Sequence, residues 1–269
     1  MQDLIVALGQ LAISDRDYAA NMNSIAQLSR QACGSAHIDL LLWPELAAEG
    51  YDFDYIQSLS DGQLAEIKGF WSKLAKELHV TIMAGTAERE GGDTYNTSLC
   101  WNADGKQQAS YRKVHLYGEE NDFFRPGDQP VITNINGWRV GMLICADFGF
   151  PEMLRQMAAE GVDLFALVSD WLAGHTALWE TCAIARSTEN LCYTAACNRF
   201  GPGPNGLGFI GHSLVVDPGG QVIASLPHGE GVLVARLQYE QVLKRRREIP
   251  WLSSMRRPEV YVKKVRQDL

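Results

Sequence analysis

Long hydrophobic runs are missing from the sequence. No apolar stretch comes near the length of about eighteen residues that a membrane-spanning helix needs. The N-terminus also lacks the basic and apolar regions of a secretory signal. It opens Met1-Gln2-Asp3, and the apolar run that follows is interrupted at Gln10 and Asp15. We therefore expect a cytoplasmic protein without a membrane partner.

Positive charge is also in short supply. The 269 residues include 24 Lys and Arg against 32 Asp and Glu, a formal net charge of −8. Nucleic-acid binding depends on clustered basic side chains, so we expect no nucleic-acid partner. The basic run Lys244-Arg245-Arg246-Arg247 stands beside Glu248. This neighbour favours a solvated helix face over an anion-binding patch.

Paired cysteine motifs are absent as well. The six cysteines, at positions 33, 100, 145, 182, 192 and 197, contain no CxxC pair. Cys192 and Cys197 are close in sequence, but no second pair of ligands follows them, so we expect no metal site. In the cytoplasm the thiols would be reduced, and most would serve as small core residues. One of them is a candidate nucleophile.

The sequence does contain a regular alternation of strand-like and helix-like segments. Apolar runs predict strands at residues 4–10, 39–43, 80–84, 95–101, 138–144, 162–168 and 193–197, and a hairpin at 212–225. Helical periodicity and helix-end residues predict helices at 15–33, 64–78, 151–160 and 176–190. We find no internal repeat and no linker. The predicted fold class is therefore α/β, with mixed sheets covered by helices in a single domain over residues 1–269.

Three polar residues stand at the ends of predicted strands, where clefts form in open α/β sheets. Glu45 is either an active-site carboxylate or a solvated loop residue. Cys145 ends the run 140–144 and precedes a turn and a helix, an order that resembles a nucleophile elbow. Helix amides would favour a thiolate there, whereas the alternative is a buried structural cysteine. Lys113 is either functional or a surface charge in a simple ion pair.

Two further motifs are rejected. Residues 201–206 match the dinucleotide-binding pattern G-x-G-x-x-G, but they include Pro202 and Pro204, and a strand follows instead of a helix. We predict a loop at this place. Gly211-His212-Ser213 begins like a serine-hydrolase elbow, but Val215 stands where the second glycine is needed. Ser213 is kept only as a remote alternative nucleophile.

Taken together, the three strand-end residues resemble a known catalytic set. Trp43-Pro44-Glu45, Lys113-Val114-His115-Leu116 and Cys145 follow one another as in the Glu–Lys–Cys triad of the nitrilase superfamily, the carbon–nitrogen hydrolases. Further short matches occur at Asn21, Tyr95-Asn96 and residues 124–128, 185–190, 195–199, 211–213 and 256–261. The resemblance thus covers nearly the whole chain, and its joint order and spacing make it specific.

The resemblance implies a four-layer α-β-β-α sandwich that pairs into a homodimer or a larger homo-oligomer. It also implies hydrolysis of a non-peptide C–N bond, with no cofactor and no metal. Glu45 would be the base, Cys145 the nucleophile, and Lys113 with the backbone N–H of Ala146 would stabilise the oxyanion. The favoured activity is an amidase that converts a small linear carboxamide through a cysteine thioester. Carbamoylase and nitrilase activities stay open, and a non-catalytic binding module is a remote alternative.

A second active-site glutamate also belongs to the family pattern, where it holds the lysine and positions the substrate amide. Glu120 matches best, and Glu119 is the other candidate. The substrate pocket is expected to be bordered by Tyr51, Asp170 and Trp171. The family commonly has an aromatic residue just after the nucleophile and an arginine four positions after it. Ala146 and Gly149 stand there in this chain, a difference that concerns the substrate class.

Overall fold

The computed structural model describes residues 1–261. The strands are β1 (Leu4–Gln10), β2 (Leu40–Trp43), β3 (Thr81–Glu90), β4 (Asp93–Trp101), β5 (Gln107–Arg112), β6 (Val131–Ile135), β7 (Trp138–Ile144), β8 (Leu164–Ser169), β9 (Tyr193–Asn198), β10 (Phe200–Pro202), β11 (Gly208–Ile210), β12 (Ser213–Val216), β13 (Val222–Leu226) and β14 (Gly231–Leu237). The helices are α1 (Tyr18–Ser35), α2 (Phe53–Ser58), α3 (Asp61–Leu78), α4 (Glu120–Phe123), α5 (Pro151–Ala159), α6 (Thr176–Asn190), α7 (Tyr239–Glu248) and α8 (Pro258–Tyr261). Shorter 3₁₀ turns occupy Cys145–Gly149 and Pro204–Gly206, and a π turn occupies Trp251–Met255.

The strands assemble into two six-stranded mixed sheets and a short hairpin of β10 and β11. The first sheet has the order β14-β1-β2-β3-β4-β5, in which β2 lies parallel to both β1 and β3. The second has the order β13-β12-β9-β8-β7-β6, in which β8 lies parallel to both β7 and β9. Parallel strands therefore occupy the middle of each sheet, where both faces are buried and the sequences are almost continuously apolar.

Alternate side chains of the first sheet pack into two different hydrophobic cores, one on each face of the sheet. Leu40 and Leu42 of β2 pack with residues of the second sheet, whereas Leu41 and Trp43 pack with residues of α1 and α3. Buried side chains of α5 and α6 cover the second sheet. Successive side chains on a strand point to opposite faces, so one apolar run serves both layers. The predicted four-layer α-β-β-α sandwich is confirmed.

The ends of the helices follow from local sequence. Ser60 and Gln63 form a reciprocal capping box at the start of α3, and the Asp17 carboxylate accepts a hydrogen bond from the backbone at the start of α1. Pro151 is the first residue of α5, as predicted. The helix predicted over 176–190 is α6, with the same bounds.

Other segments depart from the sequence patterns. The patterns predict none of the short elements α2, α4, β6 and β14. The stability of such elements depends on their neighbours in the fold. For example, β1 pairs with the full length of β14. Residues 201–206, predicted to be a loop, contribute to β10 and to the turn of its hairpin with β11. The basic run lies on α7, where Arg246 is half-buried in an ion pair with Asp163 at 2.9 Å. None of the described helices is long and apolar enough to span a membrane.

Candidate active site

The candidate nucleophile lies where β7 ends. Cys145 opens the 3₁₀ turn that separates β7 from α5. Its φ of +42° is in the left-handed region, which residues other than glycine rarely adopt and which is often found at functional turns. Cys145 is 8% exposed and lines a cavity of about 310 Å³. The order of strand, nucleophile, turn and helix is therefore present, with a 3₁₀ turn between Cys145 and the helix that begins at Pro151.

Glu45 enters the site from the first sheet, two residues after β2. Gly85 of β3 approaches it so closely that a Cβ on this residue would stand 2.4 Å from the Cα of Glu45, which explains the glycine. Glu45 is fully buried. Its Oε1 accepts a hydrogen bond from Asn96 Nδ2 at 2.7 Å, and its Oε2 accepts one from the backbone N–H of Asp170 at 2.9 Å. The interpretation as a solvated loop residue is wrong.

Lys113 follows β5 directly and is also fully buried, so its interpretation as a surface charge is wrong. Its backbone N–H donates to the carbonyl of Asn96, and its own carbonyl accepts from the N–H of Gly127, each at 2.8 Å. The ammonium group donates to Glu45 Oε1 and to Glu120 Oε1, each at 2.7 Å. An ammonium has three donors, so one remains for a further acceptor.

The structure brings Glu120, and not Glu119, to the lysine. Glu119 is exposed, whereas Glu120 is fully buried at the first residue of α4. The Tyr51 hydroxyl donates to Glu120 Oε1 at 2.6 Å, and the Tyr117 backbone N–H donates to Oε2 at 3.0 Å. Both oxygens of Glu120 are therefore fixed, and the carboxylate can in turn hold Lys113 in place.

Burial and charge set the protonation of this cluster. Burial raises the pKa of Glu45, and Glu120 raises it further, against the opposing effects of Lys113 and Asn96. Burial acting alone would lower the pKa of Lys113, but Glu45 and Glu120 hold it well above the ordinary value. Burial and Glu45 raise the pKa of the Cys145 thiol well above its usual range, although Lys113 opposes them. This direction is opposite to the effect expected of helix amides, and it agrees with the expectation that the thiol needs a base.

The family model for carbon–nitrogen hydrolases matches residues 5–247 of the chain. The chain belongs to the carbon–nitrogen hydrolase family. Among its relatives, a 2-oxoglutaramate amidase of Bacillus subtilis is 33% identical over 226 residues, which cover 83% of this chain and 87% of that protein.

Solved structures of a nitrilase-superfamily amidase from Nesterenkonia sp. AN1 share the fold. A cysteine-to-alanine mutant of that amidase in complex with butyramide has a TM-score of 0.84 and 30% identity, over 92% of this chain and 95% of that one. Another mutant carries the acetamide moiety of fluoroacetamide on its active-site cysteine, with a TM-score of 0.87 and 29% identity over 97% and 96% of the two chains. The protein is therefore a carbon–nitrogen hydrolase with the fold of these amidases.

In this carbon–nitrogen hydrolase, Asp147 connects the cysteine turn to the lysine segment, a role that the sequence did not reveal. It is fully buried, and its Oδ2 accepts from the N–H of Ile144 at 2.9 Å and from the hydroxyl of Tyr111 at 2.7 Å. Its Oδ1 accepts from the N–H of His115 at 3.2 Å and lies 2.8 Å from His115 Nδ1. The only hint of this connection in the sequence was spacing, because Asp147 follows the cysteine by two residues and His115 follows Lys113 by two.

The cavity beside Cys145 also includes the other predicted pocket residues. Its wall contains Ala146, Tyr51, Asp170 and Trp171, together with Tyr117, Gly149, Phe150, Leu172, His175 and Leu178. The wall is mostly apolar. Across residues 1–261, no cluster of three or more His, Cys, Asp or Glu side chains is arranged to hold a metal ion.

Ser213, the alternative nucleophile, has a different environment. It is fully buried in β12, where its hydroxyl accepts from the N–H of Asn198 at 3.0 Å and donates to the Asn198 carbonyl at 3.4 Å. The Ser213 backbone N–H donates to Gln10 Oε1 at 2.9 Å. Both polar groups of Ser213 are thus used to join neighbouring strands, which is a structural role.

Proposed function

We propose that the protein is an amidase that hydrolyses a small linear carboxamide to a carboxylate and ammonia through a thioester on Cys145. The observation that carries the proposal is the fully buried Glu45–Lys113–Glu120 cluster near Cys145, which itself lines a small, mostly apolar cavity. Burying two carboxylates and one ammonium costs free energy of desolvation, so such a cluster indicates a function. Proton transfer at the neighbouring thiol is such a function.

In the first half-reaction, the Cys145 sulfur bonds to the amide carbon while Glu45 accepts the thiol proton. Negative charge then develops on the substrate oxygen. The remaining donor of Lys113 and the backbone N–H of Ala146 stabilise it, each contributing about 3–4 kcal/mol. Ala146 is suited to this role because the first N–H groups of a 3₁₀ turn have no carbonyl partner within the turn.

Collapse of this intermediate breaks the C–N bond. Glu45 returns the proton to the departing nitrogen, ammonia leaves, and the acyl group remains on Cys145 as a thioester. A water molecule then gives a proton to Glu45 and attacks the acyl carbon. The C–S bond breaks, the sulfur regains a proton from Glu45, and the carboxylic acid is released, so that one amide and one water yield one acid and one ammonia.

Glu120 and Tyr51 complete the proposed machinery. Glu120 fixes the lysine ammonium by a hydrogen bond at 2.7 Å, and the Tyr51 hydroxyl fixes Glu120 in turn. With this support Lys113 keeps one donor directed at the reacting oxygen throughout the cycle. The family pattern also gives Glu120 the role of positioning the substrate amide.

The relatives support an amide substrate over a nitrile or a carbamoyl compound. The Nesterenkonia amidase binds butyramide, and its active-site cysteine becomes covalently modified by fluoroacetamide. The Bacillus relative is named for an amide as well. A carbamoylase would also release carbon dioxide, so measuring both gaseous products separates it from an amidase.

The experiment is incubation with butyramide, with ammonia and butyrate measured as products. We expect equal amounts of both, no carbon dioxide, and a mass increase of one butyryl group on Cys145 in quenched samples. Cys145→Ala should abolish turnover while retaining the fold. Cys197→Ala is the matched control, because Cys197 is a buried thiol that donates to the carbonyl of Gly9. Full turnover by Cys145→Ala, or no turnover on any amide by the intact protein, would refute the proposal.

The organisation of the whole chain is part of the proposal. The site draws Glu45 and Lys113 from the first sheet and Cys145 from the second, so we propose that residues 1–269 act as one domain. A homodimer or larger homo-oligomer and a cytoplasmic location stay predictions, the first of which light scattering can test.

A further inference from the structure

The backbone carbonyl of Phe148 lies at the junction between the cysteine turn and α5, where the turn itself cannot satisfy it. The 3₁₀ turn spans Cys145–Gly149, and α5 begins at Pro151. In a 3₁₀ turn each carbonyl accepts from the N–H three residues later. For Phe148 that residue is Pro151, which has no N–H. Phe148 is fully buried, and a buried carbonyl without a donor is costly, so the donor must come from another element.

Arg186 of α6 supplies this donor. Its Nε and Nη2 both donate to the Phe148 carbonyl, at 3.0 Å and 2.9 Å. Its Nη1 donates to Glu189, one turn further along α6, at 2.9 Å, which fixes the orientation of the guanidinium group. Arg186 is 8% exposed, so water competes little for these charge-assisted hydrogen bonds. The ring of Phe148 also packs against Trp179 of α6, with ring centroids 5.8 Å apart.

These contacts hold the far end of a turn whose first residue is the nucleophile. Cys145 has a φ of +42°, a conformation that persists only where the surroundings hold it. Asp147 connects the turn to the lysine segment, and Arg186 connects it to α6. The sulfur of Cys145 and the N–H of Ala146 both belong to this short turn. A shift of the turn would therefore displace the nucleophile and the proposed oxyanion donor together.

We infer that Arg186 is a positioning residue, which holds the Cys145 sulfur and the Ala146 N–H in place for attack on the substrate amide. This inference rests on the proposed amidase function and adds to it a residue of α6 that acts through the turn. Trp171 and Leu172, which belong to the apolar wall of the cavity, lie outside the turn. Loss of the Arg186 contacts should therefore lower kcat more than it changes KM.

The test replaces Arg186 by lysine and by methionine. Lysine keeps the charge but lacks the fixed fork of donors, and methionine lacks both. We expect kcat for butyramide to fall about 10-fold in Arg186→Lys and about 100-fold in Arg186→Met, with KM changed less than about threefold. The rate at which fluoroacetamide modifies Cys145 should fall in the same order. The midpoint of its pH dependence should stay the same, because the variants change the geometry of the turn.

Arg246→Lys and Arg246→Met are the matched controls. Arg246 also donates to one backbone carbonyl and one carboxylate, those of Val162 at 2.6 Å and of Asp163 at 2.9 Å. Both acceptors precede β8, at the end of the sheet opposite Cys145. Urea unfolding should show a loss of stability in both pairs of variants. The kcat of the Arg246 variants should nevertheless stay within about threefold of that of the unmodified protein.

Unchanged kcat and an unchanged modification rate in folded Arg186→Met would overturn the inference, and so would equal losses in the Arg186 and Arg246 variants. A shifted pH midpoint at an unchanged maximal rate would show that Arg186 acts through its charge, which also overturns it. Arg186→Lys decides the inference if Arg186→Met does not fold. Modification by fluoroacetamide requires no hydrolysis. An intact protein that hydrolyses no amide would therefore refute the proposed function, while the order of the modification rates would still decide whether Arg186 holds the turn.

Discussion

Replacing Asp147 by asparagine tests whether the geometry of the nucleophile depends on the connection between the cysteine turn and the lysine segment. The substitution keeps the size of the side chain and changes one oxygen into a donor. In the structure both carboxylate oxygens receive donors: Oδ2 from Ile144 and Tyr111, and Oδ1 from the backbone of His115 with Nδ1 close by. Whichever way the amide is turned, its NH₂ group must face groups that donate.

The magnitude follows from these contacts. Hydrogen bonds to a charged acceptor contribute about 1.5–3 kcal/mol each, and the asparagine loses two of them. The unfolding free energy should therefore fall by about 3–5 kcal/mol. That is smaller than the stability of about 5–15 kcal/mol typical of native proteins, so the variant should remain folded at 25 °C. Cys145 is held at positive φ next to the lost contacts, and a displacement of about 1 Å there is expected to lower kcat/KM about 100-fold.

The assay pairs urea unfolding with butyramide kinetics and with the rate at which fluoroacetamide modifies Cys145. Asp163→Asn is the control, because Asp163 is also a buried carboxylate that accepts from Arg139 and Arg246. It precedes β8 at the end of the sheet opposite Cys145. This control should lose stability but keep kcat/KM and thiol reactivity within about threefold. If both variants lose activity equally, or if Asp147→Asn keeps full activity, Asp147 is not a positioning residue.

Three further outcomes are expected. Burial raises the pKa of Glu45. As the pH is lowered, kcat/KM for butyramide should therefore fall at a pH above the ordinary glutamate pKa of about 4.3. Full activity at about pH 4.3 would contradict the role of Glu45 as base. Tyr51→Phe removes the hydroxyl that donates to Glu120. It should lower kcat/KM about 10- to 100-fold and the unfolding free energy by about 1.5–3 kcal/mol, so a loss of kcat/KM under about twofold would count against positioning. Glu49 is fully buried, and burial raises its pKa in the folded state above the unfolded value. The contribution of this carboxyl group to the unfolding free energy is therefore favourable at low pH and is lost as the pH rises. Glu49→Gln should therefore gain stability relative to the original protein above about pH 4.3, by up to about 1.4 kcal/mol per pH unit until the folded-state pKa of Glu49 is passed. Urea unfolding of both proteins between about pH 4 and pH 8 measures this gain. A difference in unfolding free energy that does not change with pH would refute the prediction.

Strong local sequence patterns predicted the larger helices and strands, whereas several short elements were not predicted. The helix α6 has the predicted bounds, and β7 matches the apolar run 138–144. By contrast, β14 was missed although it contains the apolar run Val232-Leu233-Val234-Ala235, and its residues are largely half-exposed or exposed. It is a strand because β1 offers a complete antiparallel partner. Short elements of this kind depend on long-range pairing, which a local sequence window does not contain.

The site was predictable in its members but not in its contacts. Glu45, Lys113 and Cys145 could be recognised because each stands just beyond a strand, where the ends of the strands form a cleft. Glu120 was preferred to Glu119 from its match to the family pattern, and the structure turns Glu120 inward to Lys113 and leaves Glu119 exposed. The need of the Cys145 thiol for a base was predicted, but the direction in which its surroundings shift the pKa was not, because the elbow pattern suggests helix amides and does not reveal burial beside Glu45.

By itself, the sequence determined the α/β class, most of the strands and the main helices, the family and the three residues at the strand ends. These follow from apolar periodicity and from residue order, which are properties of the chain alone. Only the tertiary structure decided that Glu45, Lys113 and Glu120 share one set of hydrogen bonds, that Asp147 connects the cysteine turn to the lysine segment, and that Arg186 donates to the carbonyl of Phe148. Those facts depend on distances between residues up to 68 positions apart in the chain, and burial sets the charge of each group only after the two sheets have packed together.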